Sequence, residues 1–213
     1  MKKILIVGAG GFGREVYNWI DDSASQYPGW KILGFLDDDA SCLEGYNYPL
    51  PIISTVEGYV PQKDEYLIMA IGNSQTRCVI VDELKRKNAQ FETLIHKSAR
   101  LGKNVEMGEG CIICPDVIIT CDVSIGDFVI INCKSDAGHD SEIGDFSTLS
   151  AYVGINGFNK IGKRVEIGSH ACFVPGLSVV DDVVIGAGAV VAQNITSPGT
   201  YVGVPAKRIS ISG

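Results

Sequence analysis

The chain has 213 residues, enough for one large domain or two small ones, and its 46% hydrophobic content is ample for a core. A net charge of −7 argues against nucleic acid or an anionic membrane as the main partner. No apolar run approaches the roughly eighteen residues of a membrane span, and the seven scattered cysteines read as reduced thiols in a cytoplasmic protein.

Residues 2 to 7 are predicted as a buried strand. Their apolar stretch is short and runs into glycine, which fits a strand better than a signal peptide. Gly8-Ala9-Gly10-Gly11-Phe12-Gly13 follows, and Phe12, Val16, Trp19 and Ile20 recur at helical spacing. Lys31 to Leu36 reads as a second strand, ending in Asp37-Asp38-Asp39. After a polar stretch, Tyr66 to Ile71 reads as a third strand, closed by Gly72-Asn73. Ser74 is placed to cap a helix from Gln75 to about Lys87, with Cys78, Val81 and Leu84 inward. Phe91 to Ile95 is a further strand. Residues 1–93 thus alternate strand and helix, which implies a small α/β domain with a parallel sheet.

From Ile95 to Val191 every sixth residue is apolar, without insertion; chance gives about two in a million. The position four residues further on is mostly small or β-branched, as at Ala99, Val105, Ser135, Ser141 and Ser147. A period of six fits neither an α-helix nor a hairpin array. It predicts an all-β parallel β-helix of about 5.3 coils over residues 94–213, three hexads to a coil. Pro198-Gly199 and Val204-Pro205 mark loops beyond it.

Gly8 to Gly13 matches G-x-G-x-x-G between a strand and a helix, and Asp37 lies where a ribose-binding acid belongs. Only one mononucleotide half fits in this length, so NAD is disfavoured. A nucleotide of some other ligand, or a purely structural turn, are the readings that stand. Cys111 and Cys114 form a C-x-x-C, but the hexad register points Cys111 inward and Cys114 outward, against a metal site. His96 and His170 suit structural or surface roles. His139 stands in the hexad whose inward aliphatic is reduced to Ala137, between Gly138 and Asp140, at a corner where side chains leave the coil. Asp140 could fix its tautomer and raise its basicity; a catalytic base and an ordinary surface corner are both open on these grounds.

At these residues the chain resembles the sugar acyltransferases of the sialic-acid O-acetyltransferase and bacillosamine N-acetyltransferase type, which are hexapeptide-repeat enzymes. The matching segments are Gly8 to Gly13, Gly34-Phe35-Leu36-Asp37-Asp38, Ala70-Ile71-Gly72-Asn73, Leu94 to Ala99, Gly138-His139-Asp140 and Val202 to Lys207. The resemblance implies a Rossmann-like nucleotide-sugar domain over 1–93, a left-handed β-helix over 94–213, and a cytoplasmic homotrimer with acyl-CoA between neighbouring coils. It implies His139 as general base, Asp140 as its tuning acid and Asn132 near the acceptor. Gly10, Gly11 and Phe12 fall at the phosphate turn, where many relatives have His in place of Phe12. Asp37 and Asp38 would face the base or ribose, and Gly72 and Asn73 the nucleotide. For acetyl-CoA the matching positions are Thr148, Gly157, Ser169 and Ala187, acting through backbone; some relatives carry His in place of Thr148. Lys207 and Arg208 are candidates for a CoA phosphate, against the alternative of charged surface.

The expected activity is direct transfer of an acetyl group from acetyl-CoA to the amino group of a nucleotide-linked amino sugar in glycan assembly, with no metal, no NAD and no acyl-enzyme. The rivals are O-acetylation of sialic acid or a similar sugar, and a non-enzymatic nucleotide-binding scaffold.

Overall fold

The computed structural model describes residues 1–210; the end of the tail assigned to the second region, 211–213, lies outside the described residues. Strands β1 (Lys2–Val7), β2 (Trp30–Leu36), β3 (Ile52–Ser54) and β4 (Glu65–Met69) form one parallel sheet in the order β3-β2-β1-β4. Helix α1 (Gly11–Asp22) follows β1, and α2 (Ser74–Arg86) follows β4. Ile4, Ile6 and Ile68 pack in the cluster that holds Val16 and Ile20 of α1, whereas Leu5, Val7, Leu67 and Met69 pack with Val81 and Leu84 of α2. Both faces of the sheet are covered, which is why β1 and β4 are nearly continuous apolar runs.

Two local readings are corrected. Strand β3 has no counterpart in the predicted elements, because three residues between polar loops carry no measurable period. The cap of α2 is Asn73, whose side chain accepts the Thr76 N–H at 2.9 Å, and Ser74 is already helical. The buried residues of α2 are Ser74, Arg77, Val81 and Leu84, with Cys78 only half-buried.

From Leu94 the chain winds as a parallel β-helix of two-residue strands. Partners in one wall lie one coil apart, as in Ile95↔Ile113 and Ala137↔Ile155. The aliphatic of each hexad fills the interior, and Ile125, Ile131, Ala137, Ile143 and Leu149 are all buried. Buried Ser135, Ser141 and Ser147 mark three successive corners. Ser135 donates to the carbonyl of Ser150 at 2.7 Å and accepts the Val153 N–H at 3.0 Å, so its hydroxyl is satisfied between coils. Every sixth residue from Asn104 to Gly188 has φ between 54° and 78°, the left-handed conformation that turns each corner. Its N–H is held by the preceding coil, as Phe146 N–H is by Asp127 O at 2.8 Å.

The three walls differ on the outside. The wall built from 94–95, 112–113, 130–131, 148–149, 166–167 and 183–185 lies under the sheet layer; this is the covered wall. Its outward Leu94, Ile112 and Ile130 are buried. The charged wall presents Glu106, Ser124, Glu142, Lys160 and Ser178, all exposed. The bare wall presents Arg100, Ile118, Asp136, Gly154, Cys172 and Val190. A hairpin of Gly199–Val202 and Lys207–Ile209 extends the covered wall where only loops were predicted.

Candidate active site

His139 stands at the corner between the bare and charged walls, its side chain 53% exposed. Its Nδ1 lies 2.8 Å from Asp140 Oδ2. A carboxylate accepts only, so Nδ1 carries the proton and Nε2 keeps a free lone pair. The ring lies on the backbone of Gly157, one coil on: a Cβ at Gly157 would meet Cε1 and Nε2 at 2.7 Å. Phe158 packs edge-to-face against the ring, with centroids 5.0 Å apart. One acid, one glycine and one aromatic therefore orient a half-exposed imidazole, which is what a general base requires.

A cleft of about 540 Å³ opens at a different corner, where the covered wall meets the bare wall. Phe12 and Glu15 of α1 and Gly72 and Asn73 line one side; Asn132, Thr148, Ser150, Glu166 and Gly168 line the other. It sits at the carboxyl ends of β1 and β4, where the strand order reverses, the usual ligand position in an open parallel sheet. The two helix N-termini near it are in different states. That of α2 is occupied: Glu166 Oε1 accepts from Asn73 Nδ2 (3.0 Å), Ser74 N–H (2.8 Å) and Ser74 Oγ (2.9 Å). That of α1 begins at Gly10 with no side-chain cap, and a Cβ at Gly10 would meet nothing within 4 Å. Gly8 and Gly13 make the turn itself, since a Cβ on Gly13 would lie 1.9 Å from the Gly8 carbonyl oxygen. The open, uncapped amides of α1 are thus the ones fit for a phosphate.

The structure brings together His139, Asp140 and Gly157 at one corner, and Phe12, Gly72, Asn73, Asn132 and Thr148 around the cleft; Gly10 and Gly11 do not line it but directly precede Phe12 at the start of α1. It does not bring these two groups to each other within one chain, because they occupy the two opposite edges of the bare wall. Ser169 and Ala187 lie on the cleft edge, so the predicted acetyl-CoA set is divided in the same way. Asp37 and Asp38 do not line the cleft. Asp37 accepts the N–H groups of Ala9 (2.7 Å) and Asp39 (3.0 Å), and Asp38 accepts that of Val56 (2.9 Å), so both hold loops. Lys207 is exposed on the hairpin, and Arg208 donates to Pro198 O at 2.9 Å. The hydroxyl of Thr148 accepts from Arg77 Nη2 (2.8 Å) and donates to Gly72 O (3.1 Å).

Cys114 points outward, as the register demands, yet is as fully buried as Cys111, because the covering layer lies over it. Burial pushes the Cys111 thiol up to about 12 and Cys114 well above its usual value. Among the described residues no group of three or more His, Cys, Asp and Glu side chains is placed to hold a metal ion. His96 is buried between Ser98 Oγ and Asp22 Oδ2, each at 2.9 Å, and ties α1 to the coil. His170 stacks on Tyr152 at another corner, with centroids 4.7 Å apart. Sequence reasoning missed Arg77 and Glu166. Glu166 had a signal: the outward positions of the covered wall run Leu94, Ile112, Ile130, Thr148, Glu166, and the change from apolar to polar marks where cover gives way to cleft.

A half-Rossmann sheet on a coiled-hexad prism, with an oriented imidazole at one edge and a cleft at the other, is the architecture that the resemblance to hexapeptide-repeat acyltransferases implied. Residues 3–84 match the family described as the PglD N-terminal domain. The chain is 27% identical over 183 residues to a GDP-perosamine N-acetyltransferase of Escherichia coli O157:H7, covering 86% of this chain and 82% of that one. Its fold matches the acetyltransferase domain of PglB from Neisseria gonorrhoeae FA1090 in complex with acetyl coenzyme A, with TM-score 0.86, 26% identity, and 98% and 99% of the two chains covered. It also matches PerB from Caulobacter crescentus in complex with CoA and GDP-perosamine, with TM-score 0.87, 26% identity, and 99% and 98% covered. Over most of its length the chain is similar to sugar N-acetyltransferases. Its coil is left-handed, as the resemblance implied.

Proposed function

We propose that this protein transfers the acetyl group of acetyl-CoA to the amino group of a nucleotide-linked amino sugar, and that each site is completed by two copies in a ring of three. The observation that carries the reading is the separation of an oriented base and an acceptor cleft by the width of one wall. A contact that joins unlike edges is heterologous, and it forms a ring where its rotation closes. Turning the bare wall toward the ring axis brings the His139 edge of one copy to the Asn132 edge of the next. The small or apolar Ile118, Gly154, Cys172 and Val190 suit that wall to such a contact. The relatives crystallised with CoA and a GDP-linked amino sugar support both ligand classes. No helix among the described residues is long and apolar enough to cross a membrane; we place the enzyme in the cytoplasm, with the nucleotide-sugar region at 1–93 and the acyltransferase region at 94–213.

The phosphates rest on the uncapped amides at Gly10 and Gly11, and the sugar extends along Asn132 and Ser150 toward the edge. Acetyl-CoA lies between copies, along Ser169 and Ala187 of one and Gly157 of the other, with the exposed Lys207 as a cation for its phosphate. The sugar amine attacks the thioester carbonyl, and Nε2 of His139 takes its proton as the new bond forms. Asp140 holds the resulting imidazolium, contributing to a rate gain of about 10² to 10⁴. The Gly157 N–H faces the oxyanion. The tetrahedral intermediate expels CoA thiolate, which recovers the proton from His139. Mass spectrometry after incubation with acetyl-CoA and UDP-, GDP- or dTDP-linked 4-amino sugars tests the reading. One acetyl group added to at least one of them is expected; acetylation of free sialic acid alone would contradict it.

A further inference from the structure

Arg77 of α2 is fully buried between the sheet layer and the covered wall, and acetyl transfer does not use it. Among the described residues no carboxylate stands within hydrogen-bonding distance of its guanidinium. It donates instead to five carbonyls and a hydroxyl: Nε to Phe128 O (3.0 Å), Nη1 to Ile71 O (2.7 Å) and Gly72 O (2.9 Å), and Nη2 to Phe146 O (2.5 Å), Ser147 O (3.4 Å) and Thr148 Oγ1 (2.8 Å). Burial brings its pKa down to about 10, with the charge of Glu166 acting in the opposite direction. Where adhesion of two layers is all that is needed, an apolar side chain of similar volume serves as well or better than a buried charge. What the planar fork does that an apolar chain cannot is fix several groups at set distances from one another.

The groups it fixes are cleft walls. Gly72 and Thr148 face each other from the sheet layer and the coil, and both line the cleft. Arg77 binds both, and the Thr148 hydroxyl closes the triangle by donating to Gly72 O at 3.1 Å. At the start of the same helix, Asn73 and Ser74 hold Glu166, another lining residue. We propose that Arg77 is a positioning residue that sets the width of the acceptor cleft, acting through Gly72 and Thr148; the proposal rests on the acetyltransferase reading. It assigns the Thr148 hydroxyl to the acceptor side of the site and not to acetyl-CoA.

Steady-state kinetics with both substrates on Arg77→Lys, Thr148→Val and Thr148→Ser test this. Lysine keeps the charge and loses the fork. The KM for the nucleotide-linked amino sugar rises about tenfold in Arg77→Lys and severalfold in Thr148→Val, the loss of one or two oriented bonds. Thr148→Ser keeps the hydroxyl and stays within about twofold of wild type, and the KM for acetyl-CoA does not move in any of the three. If Arg77→Lys does not fold, the Thr148 pair carries the test. A purely structural role lowers Tm and apparent kcat with both KM values unchanged, and that result overturns the proposal. A rise in the acetyl-CoA KM of Thr148→Val overturns it as well. Turnover by the wild-type protein, measured first, judges the acetyl-transfer reading; the ratio of the two KM values among the variants judges Arg77.

Discussion

His139 and Arg77 are polar side chains in opposite circumstances. His139 stands 53% exposed at a prism corner, with one polar partner and a glycine beneath it. Arg77 is 0% exposed and satisfies six acceptors drawn from both regions of the chain. The first costs the fold little and leaves a nitrogen free to react. The second holds two regions in register and leaves nothing free. Reactivity sits where the coil throws a side chain outward, and rigidity sits where another layer covers it.

The contrast breaks most sharply on His139→Ala. Its rate should fall by roughly 10² to 10⁴ with little change in the acetyl-CoA KM, while stability moves by less than about 1 kcal/mol. Steady-state kinetics and thermal unfolding on one preparation check both halves. Arg77→Ala should show the reverse order of damage. Orphaned carbonyls and an empty guanidinium site should cost about 3 to 5 kcal/mol in denaturant unfolding. Stability within 1 kcal/mol of wild type would remove Arg77 from its role as a clasp.

Smaller changes sharpen the comparison. Gly157→Ala places a methyl carbon where the His139 ring lies, so the ring must leave its position over the coil. A loss of about tenfold or more in kcat is expected in steady-state kinetics. Asp140→Asn keeps the contact but removes the charge that holds the imidazolium, and should cost less than His139→Ala. The smallest effect belongs to Asp136 on the bare wall. Burial raises its pKa above the usual carboxylate value of 3.8. A carboxyl raised on folding favours the native state below its unfolded pKa, and that advantage is lost as pH rises through the folded pKa. Asp136→Asn should therefore raise Tm slightly at pH 7, and the gain should fade as pH falls below about 4. An unchanged difference across that window would mean that burial is not what shifts this group.

The legible and illegible parts of the chain divide along the same line. The coil was legible because each corner repeats after six residues, and Ala137 and Gly138 showed where one corner departs from the rest. His139 could be singled out on that ground, and the uncapped turn at Gly10 by its glycines. Arg77 could not, since its partners are backbone carbonyls at Phe128 and Phe146, far along the chain, and backbone oxygens leave no mark on sequence. Asp37 shows the converse: its spacing from Gly13 suited a ribose, but its carboxylate is held by the Ala9 and Asp39 amides. The terminal hairpin escaped because Lys207–Ile209 is exposed along its length and shows no alternation.

The central claim is that base and cleft meet only between copies, and subunit mixing tests it most directly. His139→Ala removes the base and leaves the cleft open. Gly72→Trp fills the cleft and leaves the base; a Cβ at Gly72 meets nothing within 4 Å, so the backbone there tolerates a side chain. Each variant alone should be inactive. After unfolding and refolding together in equal amounts, roughly a quarter of the sites in a three-copy ring should pair an intact His139 with an open cleft, and acetyl transfer should return to about that fraction of wild type. Refolded mixed rings that show no more activity than either variant alone would contradict a site shared between copies.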